Sequence, residues 1–339
     1  MKKLMYIIGI MGIAVSAYAQ DFSLSQPFEA PILLNPANTG LTFPVRTNLN
    51  YRQQWRSISK PFTTVIASVD AKLLSQGKTG SSLGLGVIIA NDQAGTSKLS
   101  TLNASLAIMG KVLLNDMNSL SAGIVGGVMQ RKIGDNLTWT DQFDGYQYNP
   151  NAGSAEVFDS QKRLAPDVGA GIQWSYGRGA ATLSSNDAIG AQLGFAAYHV
   201  NMPNTGFQED ADSRYIRMVL HGSFSYGIKN TPFQLNPCGI VQMQGPSRMY
   251  FAGMNFKYRL QESSKYTGNL SSRSLNLGTF YRFGDAFITS LQLEWDMFAV
   301  GISYDLNLSS LTKASKGRGG TELSLRYLPF KPKKSNSLI

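Results

Sequence analysis

An antiparallel, up-and-down transmembrane β-barrel with a polar lumen and about 14 strands is the all-β fold class this sequence predicts. Three observations carry the prediction. Apolar and polar residues alternate with a period of two in run after run. The pattern is clearest at 298–330, where Phe298, Val300, Ile302, Tyr304, Leu306 and Leu308 share one parity and Ala299, Gly301, Ser303, Asp305 and Asn307 the other. Charged residues make up only 15% of the 339 residues, while Gly, Tyr and Phe are plentiful. An ordinary soluble domain is roughly 25% charged. Beyond the first 19 residues, no stretch approaches the roughly 18–20 consecutive apolar residues of a membrane helix, so a crossing has to be made with strands. A greasy outer parity and a polar inner one suit lipid outside and water inside.

Taken in order, Lys2 and Lys3, the apolar run 4–15 and Ala17-Tyr18-Ala19 read as a secretory signal peptide over 1–19, cleaved before Gln20. Gln rather than Cys follows that site, which argues against a lipid anchor. Residues 20–44 carry prolines, Asn and Gly without a period, and are expected to form a turn-rich periplasmic segment leading into the barrel. The barrel itself is expected over 45–330. Strands are expected over 45–55, 62–73, 83–89, 102–108, 120–128, 167–176, 189–200, 215–226, 233–244, 248–259, 275–283, 287–295, 298–308 and 321–330. In the third, Gly84 and Gly86 fall on the inner parity, where small residues leave room. Alternation stops over 132–164, a polar loop holding Trp139, Phe143, Tyr146, Tyr148 and Phe158; a gap of that length tends to be functional. With the N-terminus in the periplasm, 132–164, 201–214 and 309–320 fall outside the cell, while Asp296-Met297 and 229–232 become short inside turns. Segments 177–188 and 260–271 are longer than inside turns should be. Past Phe330, residues 331–339 form a basic tail with Lys331, Lys333 and Lys334.

A soluble β-sandwich would also alternate. It would not need aromatics at strand ends, where Tyr51, Trp55, Tyr226, Tyr258, Tyr281, Phe283, Trp295, Phe298, Tyr327 and Phe330 sit as in an interfacial belt. The formal net charge of +10 fits an anionic lipid or an acidic partner, and a solvated basic rim accounts for it equally; no nucleic-acid partner is expected. The single cysteine, Cys238, allows no internal disulfide and no thiolate zinc site, and reads as a small buried hydrophobe. Only His199 and His221 could work as acid or base near neutral pH. They lie on different strands, with no G-x-S-x-G motif to supply a nucleophile, so they read as wall or lumen residues rather than parts of a hydrolase. No catalytic, cofactor or metal site is expected. The inner parity of the first and last strands is more informative. Arg46, Arg52, Arg282, Glu294, Asp296, Asp305, Glu322 and Arg326 would all face the lumen, and closure brings the last strand beside the first. Opposite charges there form a ladder; a polar conduit or a plugged vestibule is the functional alternative.

Three stretches then carry a resemblance. Ser25-Gln26 with Asn35-Pro36-Ala37-Asn38-Thr39-Gly40, the run Asn50-Tyr51-Arg52-Gln53-Gln54-Trp55, and Tyr304-Asp305-Leu306-Asn307-Leu308 with 320–327 resemble the opening, the Y-R-x-Q-W strand and the closing hairpin of the PorP/SprF outer-membrane proteins of the Bacteroidetes type IX secretion system. The resemblance implies a non-enzymatic barrel in export or surface attachment of cargo, such as gliding adhesins, that bears a C-terminal sorting domain. The implied partners are the cargo, the periplasmic ring and lipoproteins of the system, and the main translocon. A general diffusion porin or nutrient channel is the alternative function.

Overall fold

The computed structural model describes residues 21–330 apart from 59, 76–79, 135–136, 138, 144, 146, 150, 154–160, 179–185, 208–212 and 262–271. The expected signal peptide and the basic tail lie outside the described residues. So do Tyr146 and Phe158.

Each alternating run forms a strand. They are β1 (Val45–Gln54), β2 (Phe62–Ser75), β3 (Ser82–Ala94), β4 (Leu99–Leu113), β5 (Asn118–Lys132), β6 (Lys162–Arg178), β7 (Ile189–Tyr198), β8 (Arg217–Gly227), β9 (Phe233–Gln244), β10 (Ser247–Gln261), β11 (Arg273–Arg282), β12 (Ala286–Trp295), β13 (Phe298–Asn307) and β14 (Arg318–Tyr327). Every strand pairs antiparallel with its sequence neighbours, and β14 pairs with β1 to close the barrel. Closure leaves no strand at an open sheet edge, as lipid requires. β1 and β11 to β14 are 10 residues long, about what a tilted strand needs to cross.

The period of two sets the two faces. Along β13, Ala299, Gly301, Ser303, Asp305 and Asn307 are buried, and the residues between them are exposed. Outward aromatics gather at two levels. At one, Phe298 lies against Trp295 and stacks on Tyr327, with ring centroids 5.9 and 4.8 Å apart. At the other, Tyr281 meets Phe283 edge-on at 4.9 Å. One end of the barrel carries the start of β1, the end of β14 and the tight turn 296–297; the opposite, long-loop end carries 133–161 and 199–216.

Two expectations need adjusting. β5 and β6 run 15 and 17 residues, longer than expected, because Lys132 pairs across to Lys162 and Arg131 to Arg163. Cross-strand pairing thus draws both ends of the predicted loop 132–164 into the wall. More consequentially, residues 21–44 do not lie outside the barrel as a periplasmic lead-in. They fold inside it as a 3-10 turn Pro27–Glu29, one α-helical turn Pro31–Leu34 and a second 3-10 turn Pro36–Asn38. Leu24, Ala30, Ile32, Leu34 and Ala37 are buried there. Leu24, Ala30, Ile32 and Leu34 bury apolar surface against Ile66, Ile88, Val125, Val219, Ile240 and Ile288 of the inner wall, so the lumen is not polar throughout. An irregular segment is stable in that position because the inner parity supplies partners for its backbone.

Candidate functional site

The plugged lumen is the candidate site. Its plug runs the length of the barrel: Asp21 touches Gln244 at the long-loop end, while the Pro44 carbonyl accepts from Lys72 N–H beside the start of β1.

Asn35 fixes the middle of the plug. Its side-chain oxygen accepts from Ala37 N–H at 2.9 Å and caps the second 3-10 turn. Its amide donates to the Ile172 carbonyl at 3.0 Å and lies 3.0 Å from Nε2 of His221. Pro36 follows at the first position of the turn, where its missing N–H costs nothing. Inward glycines let this part of the plug approach the wall. A Cβ at Gly84 would collide with the Thr39 carbonyl and one at Gly171 with the Asn35 side chain, while one at Gly123 would lie 2.5 Å from the Pro36 carbonyl carbon. Gly40, with φ of +59°, turns the chain out of the plug, and its N–H donates to Asp70 at 2.7 Å.

Most of the predicted ladder residues meet, in a pattern the alternation alone did not specify. Arg52 and Arg282 both clamp Asp305, at 2.9 and 2.8 Å, and Arg52 stands opposite Glu322 in the register with its Nε 3.7 Å away. The fully buried Glu322 accepts from the plug's Ser25 N–H at 2.6 Å. Gln26 reaches Ser303, the Glu322 carbonyl and Ser324. Arg326 bridges Glu294 at 2.6 Å and the plug's Glu29 at 3.3 Å, and Lys257 also holds Glu294. Arg46 pairs instead with Asp70 at 2.9 Å. Asp296 is not in the ladder. Trp295 and Phe298 pair directly, which leaves Asp296 in the hairpin turn with φ of +49°, a left-handed position that Asp tolerates.

The sequence reading missed the cluster that holds the plug's first residue. Asp21 pairs with Arg214, whose Nε lies 2.9 Å away, and with Arg217 at 3.2 Å. His199 sits between Asp21 and Asp167, its Nε2 and Nδ1 at 2.8 and 2.7 Å from their oxygens. An imidazole satisfies two carboxylates only as the doubly protonated donor. Burial works against that charge, but Asp21 and Asp167 outweigh it and raise the His199 pKa. For Asp21 burial likewise opposes ionisation, and Arg214, Arg217 and His199 overcome it, holding the carboxyl well below its ordinary range. Asp21 and Arg214 lie in stretches without a period, so no pattern in the sequence pointed to them.

Of the predicted family-motif residues, Asn35, Pro36 and Gly40 build the plug, while Tyr51 and Tyr304 face outward and exposed. Arg52 and Asp305 bring the two ends of the chain together. Trp55 takes a left-handed backbone after β1 and packs edge-on against Phe62 at 4.9 Å. In the loop 133–161, Phe143 and Tyr148 form a bridge with rings 5.6 Å apart, and Trp139 N–H donates to Gln142. Cys238 is half-buried on β9, packed against the internal apolar cluster.

Comparison with known proteins adds a family. The family described as type IX secretion system membrane protein PorP/SprF matches residues 16–327. No curated protein matches. Among solved structures, the monoaromatic hydrocarbon channel CymD is similar with a TM-score of 0.46 at 10% identity, covering 91% of this chain and 94% of that one. A FadL homologue of Pseudomonas aeruginosa gives 0.45 at 10%, covering 87% and 92%. BamA of Haemophilus ducreyi lacking POTRA domains 1–3 gives 0.42 at 9%, covering 84% and 70%. These likenesses are too distant to carry an inference.

Proposed function

Because the chain belongs to the PorP/SprF family of type IX secretion system membrane proteins, we propose that it is a non-enzymatic outer-membrane component supporting export or surface attachment of cargo with a C-terminal sorting domain, gliding adhesins included. The observation that supports this reading over a diffusion porin is the plug. Residues 21–41 occupy the lumen and are fixed to the wall by buried ion pairs and hydrogen bonds, so the surfaces left for work are the two ends. Loop 133–161, with Trp139, Phe143 and Tyr148, is the surface we assign to cargo. The opposite end, with the tail 331–339, faces the periplasmic ring, the lipoproteins and the main translocon.

Deleting 135–160 while keeping the Lys132–Lys162 pairing tests the assignment. Secreted cargo should stay in the cell or be lost from its surface while the barrel still migrates as a folded species in unheated gels. Unchanged surface cargo would count against the cargo loop. A steady, salt-dependent conductance of the intact protein in a planar bilayer would restore the porin.

A further inference from the structure

At the closing seam, the outward wall carries a feature separate from the lumen. Two neighbouring loops at the long-loop end, 55–61 and 308–317, together with Arg318, contain Arg56, Lys60, Lys313, Lys316 and Arg318 and no Asp or Glu. They are tied into one surface: Trp55 N–H donates to the Gly319 carbonyl at 2.9 Å, and the Ser57 hydroxyl lies 3.4 Å from the Ser315 carbonyl. Between them opens a pocket of about 330 Å³ lined by Gln53, Arg56, Ser57, Tyr304, Arg318 and Thr321.

The pocket's position identifies the kind of ligand it meets. Gln53, Tyr304 and Thr321 belong to the outward parity, in line with exposed Tyr51, Ile302 and Leu323. The opening therefore lies at the upper edge of the lipid-facing band. Among the described residues neither Arg56 nor Arg318 makes an ion pair or a side-chain hydrogen bond. The nearest carboxylates in the register, Asp305 and Glu322, point the other way and are held by Arg52 and Arg282. Two guanidiniums without a protein anion, beside the Tyr304 phenol, form a donor set that matches the tetrahedral oxygens of a phosphate, while the Gln53 amide donates to the Tyr51 hydroxyl. Basic groups at headgroup level draw anionic lipid in the same way. We propose that this pocket binds the phosphate of an anionic lipid in the leaflet surrounding the long-loop end.

Native mass spectrometry of the full chain in detergent, titrated with diphosphoryl lipid A, tests it. Wild-type protein should retain lipid A saturably. The double variant R56Q/R318Q should bind roughly tenfold or more weakly, and R56Q alone, in an exposed loop, should show part of that loss. R248Q, an isolated exposed arginine at the same end, should bind as wild type. Folded migration in unheated gels establishes that each variant is intact. Undiminished lipid A on R56Q and on the double variant, or equally tight retention of phosphatidylcholine, overturns the proposal. Displacement of lipid A by inorganic phosphate would assign the pocket to a soluble anion and overturn it as well.

Discussion

Along the seam, from β11 through β14 to β1 and β2, the inward residues are long, charged and buried: Arg46, Arg52, Asp70, Arg282, Asp305 and Glu322. Across the lumen, on β3 and on β5 to β7, the residues nearest the plug are Gly84, Gly123, Gly171 and Gly194 with Ile88, Val125 and Ala196. Both walls grip the same segment. The seam does it with pairs that are each specific and each costly to break, since a buried charge left alone is destabilising by several kcal/mol. The facing wall does it by shape: a Cβ added at Gly84 or Gly123 collides with plug backbone, and one at Gly171 or Gly194 with the Asn35 side chain. The difference separates two jobs: charges fix which part of the plug meets the seam, and glycines fix how closely the plug sits.

The sharpest way to break the comparison is at Asp305. Asp305→Asn leaves Arg52 and Arg282 buried without their shared anion, and should lower stability by about 3–5 kcal/mol, read as a fall in the urea midpoint of the detergent-folded barrel. On the facing wall, Gly123→Val should act on the plug instead of the wall. A cost of about 1–3 kcal/mol is expected for overpacking, seen as protease sensitivity within 21–44 while the barrel keeps its folded gel mobility. Gly126→Ala, where an added Cβ meets nothing within 4 Å, should change stability by less than about 0.5 kcal/mol. If Gly123→Val proves as harmless as Gly126→Ala, the shape-based grip is wrong.

The smallest effect is expected from pH, at the Asp21 cluster. His199, with a raised pKa, contributes stability that is complete below its unfolded value of about 6.5 and lost as pH rises through the folded one. Asp21, with a lowered pKa, contributes stability present above about 3.9 and lost as pH falls through its depressed value. The plug's first residue is therefore held best between about pH 4 and 6.5. Protease cleavage near Phe22 should rise on the alkaline side, and His199→Gln should remove that rise. A flat profile in the unaltered protein would show that the seam alone holds the plug.

How much of this was legible in the sequence follows from the physics of each part. Successive side chains of a barrel strand face lipid and lumen in turn, so their alternation is written residue by residue. All of β1 to β14 were readable, as was the inner parity of Arg52, Asp305 and Glu322. The choice of partner was not: Arg46 pairs with Asp70 on β2 rather than with Asp305 or Glu322 of the last hairpin. Asp296 follows the parity of β12 but lies where the hairpin has already turned. Residues 21–44 have no period because nothing about them repeats. Their burial depends on His199, Arg214 and Glu322, far along the chain, and on cavities that exist only after closure.

That dependence has a consequence for assembly. Ser25 and Glu322 are separated by 297 residues, and so are Glu29 and Arg326. Contacts so distant in sequence form late. The plug is thus secured by the chain's last hairpin, and a barrel lacking β13 and β14 holds a loose plug and an Arg52 cation without its carboxylate partners Asp305 and Glu322. An incomplete chain is marked as unfinished at its opposite terminus, and only the seam-closing strand clears the mark.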